Sequence, residues 1–183
     1  VYKRQAQAEL QRVLELFEKL MDKESPARMQ AMKEIAMVHD ALGNYVEAQP
    51  MLLELLEKRT LELGDGHEDV IDTQIDLAKV YRRIGKIDQA EDACSKSLSL
   101  LNEQNRSDDD PLLLKCMSEL AMIYLAGEKL AQGESLARNV YEKSRIRYGD
   151  IHATSLRVGQ ILVEALRTVS YTHLEPTRRR GIS

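Results

Sequence analysis

From residue 6 onward, apolar residues return every three to four positions, in blocks separated by short polar or glycine-bearing breaks. That is the period of helices with one buried face. The most complete block is Leu77-Ala78-Lys79-Val80-Tyr81-Arg82-Arg83-Ile84-Gly85-Lys86-Ile87-Asp88-Gln89-Ala90-Glu91, which reads as a helix end, a tight turn at Gly85 and the start of a second helix. A variant lies 42 residues upstream, Ile35-Ala36 … Leu42-Gly43-Asn44-Tyr45 … Ala48, and another 43 residues downstream, Leu120-Ala121 … Tyr124 … Leu130 … Glu134. One helical hairpin is thus written at least three times, the mark of a stacked all-α array.

The breaks carry helix-end chemistry. Ser25-Pro26 and Asp110-Pro111 each pair a capping side chain with a proline in the first turn, where the missing N–H has no intrahelical partner to lose. Gly43-Asn44 tolerates the left-handed conformation of a helix stop. Pro50 falls early in its helix and should tighten or kink the first turns. The loop Leu63-Gly64-Asp65-Gly66-His67 returns 85 residues later as Tyr148-Gly149-Asp150-Ile151-His152, while the middle copy has Ser107-Asp108-Asp109-Asp110-Pro111 and should hold the one extra residue. The expected hairpins are 26–42 with 45–63, 69–84 with 87–103, and 111–127 with 129–148, so that full repeats span 26–63, 69–103 and 111–148. Residues 6–22 read as the second helix of a truncated repeat and 153–168 as the first helix of another, each exposing an apolar face that a neighbour would cover. Ala36, Ala78 and Ala121, with Ala48, Ala90 and Gly133 on the partner helices, mark close helix approaches. Tyr81, Tyr124 and His39 are the larger knobs between layers.

Composition agrees with an all-α chain: one Phe, no Trp, and abundant Leu, Ala, Glu and Lys. Both ends read as foreign to the middle. Val1-Tyr2-Lys3-Arg4-Gln5 matches the translated transposase end used in sequencing-library preparation. Val169-Ser170-Tyr171-Thr172-His173-Leu174 resembles its reverse complement, and Glu175–Ser183 resembles frame-shifted read-through beyond it. Residues 1–5 and 169–183 are accordingly expected to be adapter-derived, leaving 6–168 as the array. The net charge is −4; each end segment carries +2, so the interior stands at −8. Such acidity disfavours nucleic acid and anionic membrane surfaces as partners. No apolar run approaches the ~20 residues of a membrane-spanning helix.

Candidate chemistry is sparse. Cys94 and Cys116 lack the spacing of a zinc site or disulfide framework and read as reduced structural thiols of a cytoplasmic protein. His39 lies on a packing face; His67 and His152 are explained by the repeated loop. Asp108-Asp109-Asp110 lacks the alternation and glycine of a calcium loop. Asn105-Arg106-Ser107 fits a glycosylation acceptor, but no secretion signal accompanies it. No catalytic residue, metal ligand or cofactor site is expected.

The stretch L-A-x-V-Y-x-x-x-G-x-x-x-x-A-E at Leu77–Glu91, with A-x-P at Ala48–Pro50 and L-G-x-x-H-x-D-V-like Leu63–Val70, resembles the tetratricopeptide repeat. The nearest subtype is the 42-residue repeat of kinesin light chains and nephrocystin-like proteins. The resemblance implies a right-handed α-solenoid whose first helices line a concave groove for peptides or partner helices. It projects into that groove Glu34, Asp76 and Glu119, one per repeat, joined by Lys79, Arg82 and Arg83, with Met37, Met122 and Leu125 as apolar floor. Kinesin light chains often carry L-N-N-L-A; here the equivalents are Gln74-Ile75-Asp76-Leu77-Ala78 and Met117-Ser118-Glu119-Leu120-Ala121, without either asparagine. The function implied is a non-catalytic scaffold with a protein or peptide ligand, no nucleic acid, no membrane insertion, and self-association through uncapped ends. The rival reading is the regulatory or sensor segment of a larger multidomain enzyme or signalling ATPase.

Overall fold

The computed structural model describes residues 25–178 continuously, with helical Glu9, Arg12, Val13 and Leu16 before them, and side chains as far as Thr168 apart from that of Pro26. Segments 1–5 and 179–183, and most of the helix expected over 6–22, lie outside the described residues. Among the described residues are seven helices and no strand: α1 Pro26–Leu42, α2 Tyr45–Leu63, α3 Glu68–Arg83, α4 Ile87–Glu103, α5 Pro111–Ala126, α6 Leu130–Tyr148 and α7 Ala153–Arg178. The first six agree with the periodic reading to within one residue at each end. The seventh does not stop at 168 but runs on to Arg178; neither glycine nor proline interrupts the chain between Gly159 and Pro176.

Local chemistry sets the ends. The Ser25 hydroxyl accepts from the Arg28 N–H at 3.1 Å, and Asp110 Oδ1 accepts from Leu112 and Leu113 N–H at 2.8 and 3.1 Å. His67 and His152 prove to be caps as well: each Nδ1 accepts the N–H two residues on, from Asp69 and from Thr154, at 3.2 Å. That explains why histidine recurs in this loop. The four-residue loops 64–67 and 149–152 contrast with the seven-residue loop 104–110, which follows a helix two residues shorter than α2 or α6. The extra residue of the middle repeat therefore sits in that polar loop. Past it the register moves by one: Gly43 and Gly85 take the left-handed turn position at φ 76° and 80°, but the corresponding φ of 61° falls on Glu128. Gly127 serves space instead, since a Cβ there would stand 2.9 Å from Ile87 Cγ2.

The chain divides at the turn into two compact units, one ending at Ile84 and the other beginning at Gly85. In the first, α1 and α2 form a hairpin and α3 packs against both. Its core is Ala36, Ala48, Leu52, Leu77 and Val80, edged by Tyr45, Met51, Leu56 and Tyr81. In the second, α5 packs between α4 and α6, and α7 packs on α6 and α5. Leu114, Val140 and Val158 form one cluster and Ala121, Ala137 and Ile161 another. The small residues mark the closest approaches: Ala36, Ala48, Ala78, Ala90 and Ala121 are fully buried.

Gly133 is the tightest of these. A Cβ built there meets Leu125 Cγ at 2.9 Å and the Ala121 carbonyl oxygen at 3.2 Å. Alanine in a helix interior ordinarily gains about 1 kcal/mol over glycine. Here a backbone oxygen that cannot rotate away opposes it, and overpacking costs roughly 1–3 kcal/mol. Gly133→Ala is therefore expected to lower the urea midpoint rather than raise it.

On α7, Leu156 and Val163 are more than half exposed, whereas their counterparts 85 residues earlier, Ile71 and Ala78, are fully buried. In the earlier repeat that side of the first helix is buried against its neighbours.

Candidate functional site

In the first unit the two first helices, α1 and α3, are joined by ion pairs running in both directions. Lys33 on α1 pairs with Asp72 and lies 3.6 Å from Asp76 on α3. Seven residues along α1, two turns on the same side, Asp40 faces Lys79 at 2.7 Å and Arg83 Nε at 3.1 Å. Asp40 is only 2 % exposed, so these contacts act in a less screened setting than surface pairs. Arg83 also donates to the Tyr45 hydroxyl at 3.4 Å, with its guanidinium 5.9 Å from that ring's centre. Cation and anion alternate between the helices, which fixes their register along the seam.

This arrangement bears directly on the residues projected as groove-lining. Asp76, Lys79 and Arg83 are engaged in the α1–α3 seam, and Asp76 is buried. Arg82 is half-buried beside them. Glu34 is the exposed carboxylate of the set, accepting from Gln30 Nε2 at 2.7 Å, and Met37 is half-buried one turn beyond it. In the second unit Glu119 is buried, 5 % exposed, and Met122 and Leu125 pack against the Ala121, Ala137 and Ile161 cluster. Of the acidic ladder, Glu34 alone stands open to solvent; Asp76 and Glu119 face inward.

Three features were not read from the sequence. One is Asp40, the carboxylate on which the seam turns. Its signal was present as an Asp seven residues after Lys33, matched by Asp72/Asp76 and Lys79/Arg83 at the same separation on α3. A second is Arg59 on α2, 4 % exposed. It donates to Thr73 Oγ1 at 2.8 Å, the Asp69 carbonyl at 3.2 Å and Gln30 Oε1 at 3.4 Å, and so ties α2 to α3 and α1. The third is an open apolar groove of about 540 Å³ between the second helices α4 and α6, floored by Met117, Leu120 and Tyr124 of α5 and edged by Leu98, Gln132 and Asn139. Ion pairs link α6 and its approach to the earlier part of the unit: Lys129 to Glu91 at 2.6 Å, and Lys143 and Arg147 to Asp108 and Asp109 at 3.0 and 2.8 Å. Hydrogen bonding to Glu91 holds the Lys129 ammonium above its ordinary range. The Ser107 hydroxyl, then Arg147, hold the Asp109 carboxyl below its own.

Among the described residues no group of three or more His, Cys, Asp or Glu is arranged to hold a metal ion. None of their helices is long and apolar enough to cross a membrane.

Residues 34–103, from within α1 to the end of α4, match the family model of the tetratricopeptide repeat. These residues are tetratricopeptide repeats. The tetratricopeptide fold extends beyond them, as solved structures show. A Podosopora anserina protein described by its kinesin light chain nearly identical TPR-like repeats is 20% identical over 97% of this chain and 85% of that one, with a TM-score of 0.68. A single-substitution form of it is 21% identical, covering 97% and 88%, also at 0.68. BtubC (BKLC) from P. vanneervenii is 20% identical, covering 96% and 67%, at 0.64. At this identity the likeness establishes the fold, an all-α repeat solenoid. No curated protein sequence matches the chain.

Proposed function

We propose that this tetratricopeptide array is a non-catalytic protein-interaction scaffold that receives a peptide or helix of a partner along its first-helix faces. The observation that carries the reading is the α1–α3 seam. Two first helices are locked side by side by Lys33, Asp40, Asp72, Asp76, Lys79 and Arg83, while Glu34 stays exposed and Met37 partly so beside them. A rigid two-helix face with one open carboxylate and one pliable apolar side chain suits a short segment carrying a basic residue next to an aliphatic one. The acidity of the interior, −8, adds attraction for such a ligand over longer range.

A random peptide library selected on the folded chain is expected to yield basic sequences. Glu34→Lys combined with Met37→Ala should then weaken them by roughly tenfold, a loss of about 1.4 kcal/mol, with the urea midpoint unchanged. Peptides that bind both forms equally would move the site away from this face. Failure to enrich any peptide would remove the scaffold reading itself.

A further inference from the structure

Cys94 on α4 and Cys116 on α5 lie 22 residues apart in sequence, yet their Sγ atoms are 3.7 Å apart. Each thiol also reaches the other's backbone: Cys94 Sγ donates to the Cys116 carbonyl at 3.3 Å, and Cys116 Sγ to the Cys94 carbonyl at 3.4 Å. Both side chains are fully buried and both thiols are free. They meet at the seam between the second helix of one repeat and the first helix of the next, where a solenoid flexes from repeat to repeat. A disulfide needs the sulfurs about 2.05 Å apart, so each would travel on the order of 0.8 Å, within reach of side-chain rotation.

We propose that Cys94 and Cys116 close into an intramolecular disulfide when the chain meets a disulfide oxidant such as oxidised glutathione, stapling α4 to α5 and stiffening that repeat junction. The exchange balances in two steps. One cysteine, having given its proton to water, attacks a glutathione sulfur, breaking that S–S bond and releasing one reduced glutathione. The second cysteine, likewise deprotonated, attacks the protein-side sulfur of the mixed disulfide and releases the other. The two cysteines are oxidised and one glutathione disulfide is reduced to two thiols.

The same setting makes the staple slow. The hydrogen bond with Cys116, then burial, and lastly the nearby Glu119 carboxylate all push the Cys94 thiol upward, so thiolate is scarce in the closed state. Oxidation therefore waits for α4 to part locally from α5, and so does reduction. The device responds to sustained oxidising conditions and holds its state afterwards.

The test uses the whole folded, reduced chain incubated with oxidised glutathione at mildly alkaline pH, quenched with acid and mapped by mass spectrometry without reduction. The expected product is the Cys94 peptide joined to the Cys116 peptide, lighter by two hydrogen atoms and free of glutathione. It should keep its helical circular dichroism, melt several degrees higher, in line with closure of a loop of this length, and revert with dithiothreitol. Cys94→Ser, or Cys94→Ala should the serine fail to fold, must never give the crosslink. A persistent mixed disulfide, crosslinking between chains, a crosslinked product that melts lower, or reaction only in urea would each overturn the proposal.

Discussion

Arg59→Ala is expected to lower the unfolding free energy by about 3 kcal/mol, read as a fall in the urea midpoint. Three losses add. Hydrogen bonds from a charged donor contribute roughly 1.5–3 kcal/mol, and Arg59 donates to Thr73 Oγ1, the Asp69 carbonyl and Gln30 Oε1. Loss of the aliphatic stem also leaves a void between α2 and its neighbours. The anchoring of the first two turns of α3 also goes, since Asp69 lies in the first and Thr73 in the second. A second substitution separates these contributions. Arg59→Met keeps most of the stem volume and removes a buried charge that donates to a hydroxyl, a carbonyl and an amide oxygen, all neutral. Replacing such a charge by an apolar side chain of similar size is often close to neutral, so Arg59→Met should cost less than half as much as alanine. If methionine proves as damaging as alanine, the hydrogen bonds rather than the packing dominate.

Leu52→Ala should cost about 2–5 kcal/mol, the range for emptying a full leucine site in a close-packed core. Leu52 is 0 % exposed, on α2 in the cluster with Ala36, Ala48, Leu77 and Val80. The same change at Leu61, on the same helix but 80 % exposed, should fall within about 0.5 kcal/mol of wild type. Equal effects at the two positions would mean that α2 is rotated relative to the packing described. The contrast is useful because both are leucines within one apolar-rich helix, and nothing in residue type tells them apart.

The neighbourhood of Gly133 shows how far the periodic reading carries. A glycine in a helix interior signalled a close approach, and the contact with Leu125 and the Ala121 carbonyl is there. The direction of the effect, against alanine, rests on a backbone oxygen of another helix. The charged residues tell the opposite story. Asp76, Lys79 and Arg83 fall at positions where the resemblance implies a groove. Their engagement with Lys33 and Asp40 depends on how α3 is turned against α1, which the spacing within α3 alone leaves open. The cysteines are a sharper case: a separation of 22 residues carries no pairing signal, and only the packing of α4 on α5 brings the sulfurs to 3.7 Å.

What the sequence determined by itself is whatever is decided within about one helical turn. The helix spans, the caps at Ser25 and Asp110, the left-handed Gly43 and the place of the extra residue all follow from backbone groups seeking partners three or four residues away. The repeat then follows, because a hairpin with one uncovered apolar face needs a copy of itself to cover it. What only the tertiary structure decided is the rotation of each helix about its axis and the partner each side chain meets across a seam. Those contacts join residues distant along the chain, such as Cys94 with Cys116, 22 positions apart, and Lys33 with Asp72, 39 apart. A small rotation of a helix exchanges a buried carboxylate for a solvated one while leaving its periodicity unchanged. Asp76 faces inward across the seam toward Lys33, whereas its counterpart 42 residues earlier, Glu34, is open to solvent.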